Sequence, residues 1–142
     1  MKFWDTSALI PFFVDEPATS AVRQILTRDR DVLVWMLTSV ELLSVFGRLG
    51  RVTSDLDDVL PGVRLDAMDL FRRWMPVTHV EGVRRRAERL VGAHPLSAAD
   101  AMQLGAALLA SDDRPETLDF VTLDRTLARA AELEGFRVIG AH

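Results

Sequence analysis

The sequence predicts an α/β chain whose parallel sheet is covered by helices on both faces. Three observations predict it. Short apolar runs of β character alternate with longer helical stretches from end to end, the pattern of successive βαβ units. One run, Val32-Leu33-Val34-Trp35-Met36, is apolar at every position, as a strand buried on both faces must be. Acidic residues recur at the passages into helices: Asp5 after Lys2-Phe3-Trp4, Glu41 after the run ending at Met36, Asp100 in Ser97-Ala98-Ala99-Asp100, and Asp124 after Phe120-Val121-Thr122-Leu123. In an open α/β sheet these passages lie at the carboxyl edge, where ligands bind.

Taken in order, residues 2–5 read as a strand, 7–14 as a short helix, and 17–28 as a second helix with Pro17 near its first turn. The strand 32–36 precedes a helix over 38–49, which Gly50 is expected to close. Residues 54–75 carry Leu56, Val59, Leu60, Val63, Ala67, Leu70, Phe71 and Trp74 at mostly helical spacing, with Pro61-Gly62 expected to kink or break the stretch. A strand is expected at 77–80, then an arginine-rich helix over 81–91. Residues 97–110 form the clearest helix, where Gly105, Ala106 and Ala107 permit close packing. A polar loop over 111–116, a strand at 120–123, a helix over 125–133 stopped by Gly135, and a strand at 137–139 complete the chain. It contains no internal repeat, low-complexity tract or linker, so residues 1–142 read as one domain.

Composition narrows the function. The chain is 49% hydrophobic with a formal net charge of −4. A nucleic-acid role must therefore rest on local patches rather than overall charge. There are no cysteines, which removes disulfides, thiolate metal sites and Cys nucleophiles. No stretch is long and apolar enough to span a bilayer. Asp5 and Pro11 interrupt the first apolar run, so it does not read as a signal peptide; a cytoplasmic location is expected. G-x-x-x-x-G-K-[ST] and G-x-G-x-x-G are both missing. His79, His94 and His142 are scattered and suggest neither a metal set nor a triad.

The four acids admit a purely structural reading. Thr38-Ser39-Val40-Glu41 fits the capping-box pattern, Ser97 to Asp100 nearly fits it, and Asp5 and Asp124 stand where N-caps stand. Yet Ser, Thr or Asn would cap as well as Asp, and all four junctions carry an acid. Carboxylates gathered at one sheet edge repel one another unless a hard divalent cation lies among them. Such a cation activates water and screens phosphate charge, which points to phosphoryl-transfer chemistry.

The blocks Asp5-Thr6-Ser7-Ala8-Leu9, Thr38-Ser39-Val40-Glu41-Leu42, Leu96-Ser97-Ala98-Ala99-Asp100-Ala101 and Phe120-Val121-Thr122-Leu123-Asp124, in this order, resemble the PIN domain, and especially the VapC-type ribonuclease toxins of toxin–antitoxin modules. The resemblance covers essentially the whole chain. It implies a three-layer α/β/α sandwich with a central parallel sheet. It also implies Mg²⁺ or Mn²⁺ held directly by Asp5 and Asp100, with Glu41 and Asp124 completing the site or orienting water, and Thr6 or Ser7 supporting it by a hydrogen bond. The implied partners are an RNA substrate, a cognate antitoxin and a second copy of the chain. The alternatives within this reading are a PIN nuclease that matures RNA and a PIN-like module that binds metal and a partner without cutting. Two further expectations concern surfaces. Arg84, Arg85, Arg86 and Arg89, or Arg72 and Arg73, are candidates to guide RNA. Residues 38–75 carry more apolar side chains than one core-facing stripe needs, offering a dock for an amphipathic antitoxin segment.

Overall fold

Five strands pair in parallel: β1 (Lys2–Trp4), β2 (Val32–Trp35), β3 (Met75–Val77), β4 (Asp119–Thr122) and β5 (Val138–Gly140), in the order β3-β2-β1-β4-β5. The computed structural model describes residues 1–140, the side chain of Ser54 aside; Ala141 and His142, the last of the three histidines, lie outside the described residues. β1 is central, with Phe3 registered against Leu33 on one side and Phe120 on the other. The chain moves outward from β1 to β2 and β3, then returns to β1's other side for β4 and β5. The direction of winding therefore switches between β1 and β4, and the carboxyl ends of those two strands flank the crevice where such sheets bind ligands.

Alternation along the strands divides the core into layers. Phe3, Trp35 and Phe120 face one side, where they meet α5 (Val80–Ala93), α6 (Ala98–Ala110) and α7 (Arg125–Glu134). Trp4, Val34 and Val121 face the other, against α1 (Thr6–Leu9) and α2 (Thr19–Arg28). α3 (Thr38–Val52) and α4 (Leu60–Phe71) close a third cluster around Leu42, Phe46, Leu60 and Ala67, with Ile10 and Phe13 packed against it. The expected α/β sandwich with a parallel sheet is thus present. Trp4, Trp35, Phe3, Phe46 and Phe120 are fully buried, each contributing about 1.5–3 kcal/mol from burial alone.

α6 approaches α5 so closely that a Cβ at Gly105 would lie 3.0 Å from the Val83 carbonyl oxygen. This contact sets how closely α6 packs on α5. Ser97 caps α6 by accepting from the Asp100 N–H at 3.2 Å, and Gly135 ends α7 at φ 105°.

Several boundaries differ from expectation. α3 continues past Gly50 to Val52, because Gly50 faces α4 rather than a turn: a Cβ there would meet a Leu60 methyl at 2.8 Å. The stretch 54–75 is broken as expected, into a 3-10 turn at Ser54–Leu56 and α4, but the break falls just before Pro61, which stands in the first turn of α4, where its missing N–H has no intrahelical partner to lose. The third strand is Met75–Val77 rather than 77–80, and Val80 already belongs to α5. Pro76 is tolerated because β3 is an edge strand.

Candidate active site

Asp5 ends β1 and caps α1. Its backbone is extended and its N–H donates to the Val121 carbonyl at 3.0 Å, prolonging the β1–β4 pairing by one step. Its carboxylate is almost wholly buried. Three donors converge on one oxygen, Oδ2: the Ser7 N–H at 3.2 Å, the Ser7 hydroxyl at 2.5 Å and the Thr122 hydroxyl at 2.9 Å. None among the described residues reaches Oδ1. Ser7 and Thr122 are themselves locked, since Ser7 Oγ accepts from the Leu123 N–H at 2.9 Å and Thr122 Oγ1 from the Asp124 N–H at 3.1 Å. The carboxylate is thus aimed by a lattice spanning the β1–β4 switch point.

Glu41 lies in the first turn of α3 but caps nothing: no side chain caps this helix, and Leu37 stands at its N-cap position. The capping-box reading of Thr38 to Glu41 is therefore not realised. Glu41 is instead gripped at both oxygens, Oε2 by the Thr6 hydroxyl at 3.1 Å and Oε1 by the Gln103 amide at 3.2 Å. Gln103 is fully buried, and its Nε2 also lies 3.0 Å from both Thr6 Oγ1 and Thr38 Oγ1. Its Oε1 is buried without a partner. Turning the amide over would set that oxygen against the Glu41 carboxylate, so the charge fixes the orientation.

Asp100 stands in the first turn of α6 and is half-buried. Asp124 caps α7, accepting from the Leu127 N–H at 2.8 Å. The four acids share one electrostatic neighbourhood. Burial pushes the Asp5 carboxyl up to about 6 against the pull of the Ser7 and Thr122 hydroxyls, and the Asp100 charge adds to the rise. Burial is also the first cause holding Glu41 above its ordinary value, with Thr6 opposing and the charges of Asp5 and Asp100 adding. Asp100 is raised by burial and by Asp124.

Even so, no three His, Asp or Glu side chains among the described residues converge tightly enough to cage an ion by themselves. The acids are near enough to feel one another's charge and too far apart to form a closed cluster. That spacing fits Mg²⁺ or Mn²⁺, which uses one or two carboxylates and keeps several waters. The donor set is all oxygen, and Asp5 Oδ1 is free of protein donors among the described residues.

The PIN domain family matches residues 2–133. The chain belongs to the PIN domain family. PIN domains are in general metal-dependent nucleases. Among solved structures, FitAcB from Neisseria gonorrhoeae resembles this PIN domain with a TM-score of 0.59 at 16% sequence identity, over 99% of this chain and 97% of that one; at that identity the likeness concerns the fold. No curated protein matches the chain.

Thr38, Gln103 and Thr122 have site contacts that sequence reasoning did not assign. Two signals were present. Gln103 is the one amide in an otherwise apolar segment and lies three positions after Asp100, on the same helix face. Thr122 interrupts an apolar strand two residues before Asp124. The histidines do other work: His79 caps α5 by accepting from Gly82 N–H at 3.0 Å, and His94 bonds Glu134 at 2.7 Å. The arginine cluster of α5 is largely neutralised. Arg84 pairs with Glu81 and Glu88, Arg86 with Asp113, and Arg89 with Glu134; Arg85 makes no ion pair among the described residues.

Proposed function

We propose that this PIN domain is a Mg²⁺- or Mn²⁺-dependent endoribonuclease of VapC type, the toxin of a toxin–antitoxin module, acting as a homodimer and held in check by its antitoxin. The observation that carries the reading is the gathering of four carboxylates beside the β1–β4 switch point, with the most buried of them aimed by three donors to a single oxygen. A structural role alone does not account for Glu41, which caps no helix.

Asp5, through Oδ1, and Asp100 would hold the ion. When bound, it supplies a Lewis acid that screens the charge of the scissile phosphate and relieves the repulsion among the carboxylates. Ser7 and Thr122 keep Asp5 in one rotamer, so that it does not reorganise when substrate arrives. Thr6 and Gln103 hold Glu41 facing the cleft, where it orients the attacking water in line with the leaving oxygen. Asp124, fixed by its cap, completes the negative rim. The phosphodiester is hydrolysed as the water oxygen bonds to phosphorus and gives up a proton, the bond to the leaving oxygen breaks, and that oxygen takes up a proton from solvent to leave as a hydroxyl.

The test is cleavage of RNA by the purified protein with Mg²⁺ or Mn²⁺ and with EDTA, alongside Asp5→Asn and Asp100→Asn. Cleavage is expected only for the wild type with metal, and sequencing of 5′ ends after brief induction then reveals the cut site. Activity that persists in EDTA, or survives both substitutions, overturns the reading.

A further inference from the structure

An acidic pocket that cleaves a polyanion needs positive charge beside it, and the arginines of α5 are mostly committed to carboxylates of their own. A different surface meets the need. A cleft of about 320 Å³ runs between the α5–α6 loop, at His94 and Pro95, and the outer face of α7, at Arg125, Arg129 and Leu133. Both walls lead to the acids. Arg125 directly follows Asp124, and the loop ends at Ser97, the cap of the helix that carries Asp100. Arg125, Arg129 and Leu133 recur every four residues, so they form one stripe about 12 Å long.

We infer that this cleft is the track for the single-stranded RNA that flanks the scissile phosphate, a proposal that rests on the ribonuclease reading above. The charges favour this occupant. Arg125 makes no ion pair among the described residues, and Arg129 has only an exposed contact of 3.6 Å with Glu132, which leaves both guanidinium groups available to phosphates. Two acids lie nearby: Glu132 is exposed and touches Arg129 at 3.6 Å, and Glu134 does not repel the strand. It is clasped by Arg89 at 2.8 Å and His94 at 2.7 Å, which hold its carboxyl below its ordinary value and bind its charge internally. Between the arginines the surface is largely apolar, with the exposed Pro95 and Leu133 offering contacts for base faces. The cleft lacks an aromatic platform, so it grips the backbone and tolerates any base, and it does not itself select a sequence.

The test is binding of a labelled single-stranded RNA in EDTA across a salt series, with cleavage by the same preparations measured separately in Mg²⁺ or Mn²⁺. Arg125→Ala with Arg129→Ala is expected to weaken binding about tenfold per arginine. The same pair should flatten the slope of log affinity against log salt by about 1.4, at roughly 0.7 per phosphate contact on a single strand. KM for cleavage should rise in parallel. Leu133→Glu, which places a negative charge on the exposed end of the stripe, should weaken binding without removing an arginine. Arg72→Ala with Arg73→Ala changes the charge equally at the amino edge of the sheet, just before β3, and is expected to leave the slope unchanged. An unaltered slope in the Arg125/Arg129 variant, or an equal loss in both double variants, overturns the track. A wild type that cleaves with metal while the slope stays fixed removes the track alone. A wild type that neither binds nor cleaves RNA removes the ribonuclease reading and the track together.

Discussion

At Asp5 the needs of folding and of the site oppose each other. Burial raises its carboxyl to about 6 from an ordinary 3.8, so the folded protein binds this proton more tightly than the unfolded chain does. The group's contribution to stability is therefore greatest at low pH. It falls as pH rises from about 4 through about 6, and stays at its lower level beyond that. The difference corresponds to about 3 kcal/mol. Asp5→Asn keeps the shape and an acceptor for Ser7 and Thr122 but cannot ionise. Its melting temperature without metal is expected to exceed the wild-type value by an amount that is small near pH 4 and grows to several degrees at pH 7. Mg²⁺ should raise the melting temperature of the wild type, by mass action on the folded state, and not that of the variant. A gain that is constant across this pH range would show that burial of charge is not the cause. Sequence alone placed this residue at the end of a strand, because an acid ending an apolar strand is conspicuous. The hydroxyl that aims it from β4 was less legible, because Thr122 lies 117 positions away and becomes a neighbour only through the β1–β4 register.

Elements were legible where local signals agree and not where partners outside the element decide. Ser97 and the apolar run after it gave α6 its start and end, and Gly135 gave α7 its stop. Gly50 misled because its lack of a side chain serves the approach of α4, a tertiary reason invisible in the local pattern. Thr38 and Glu41 misled in the same way. They match a capping box, but their hydroxyl and carboxylate are taken by Gln103 and Thr6, which belong to α6 and α1. Gln103 thus ties three elements together at the back of the site. Gln103→Leu removes a buried amide whose oxygen has no partner, so the lost hydrogen bonds are partly offset and the protein should remain folded. Glu41 loses one of its two restraints. Cleavage is expected to fall by about 10- to 100-fold, the usual range for losing a group that orients a site residue, with RNA affinity in EDTA unchanged. Gln103→Glu, which sets a second carboxylate against Glu41, should be worse in both activity and stability. Undiminished cleavage by Gln103→Leu would return this residue to core packing.

On the scale of the whole molecule, the layers explain why the apolar excess over residues 38–75 is only partly surface. Leu42, Phe46, Leu60 and Trp74 are consumed by the core, while Leu43, Val63, Leu70 and Phe71 are half-buried. What remains outside is a different set: Val40, Val52, Val59, Leu65 and Met68, with Met36, Leu37 and Met75 at the ends of β2 and β3. Spacing could count the surplus but could not assign it, since α3 and α4 turn their inner faces to Ile10 and Phe13 rather than to the sheet alone. Scattered exposed apolar residues are ordinary; Leu65 and Met68, three positions apart on one face of α4, are the pair a partner would use first. On the toxin reading, that partner is the antitoxin, an amphipathic segment laying its apolar side across α3 and α4. Leu65→Asp with Met68→Asp changes residues that are 70% and 46% exposed, so melting should barely move while complex formation with the antitoxin is lost. Hydrogen exchange with the antitoxin present is expected to slow amides within 38–75. Protection confined to other regions, together with a complex that survives the double substitution, would show that the antitoxin docks elsewhere. If the same substitutions leave the complex intact but convert a dimer to a monomer in solution, the exposed face joins two copies of the chain.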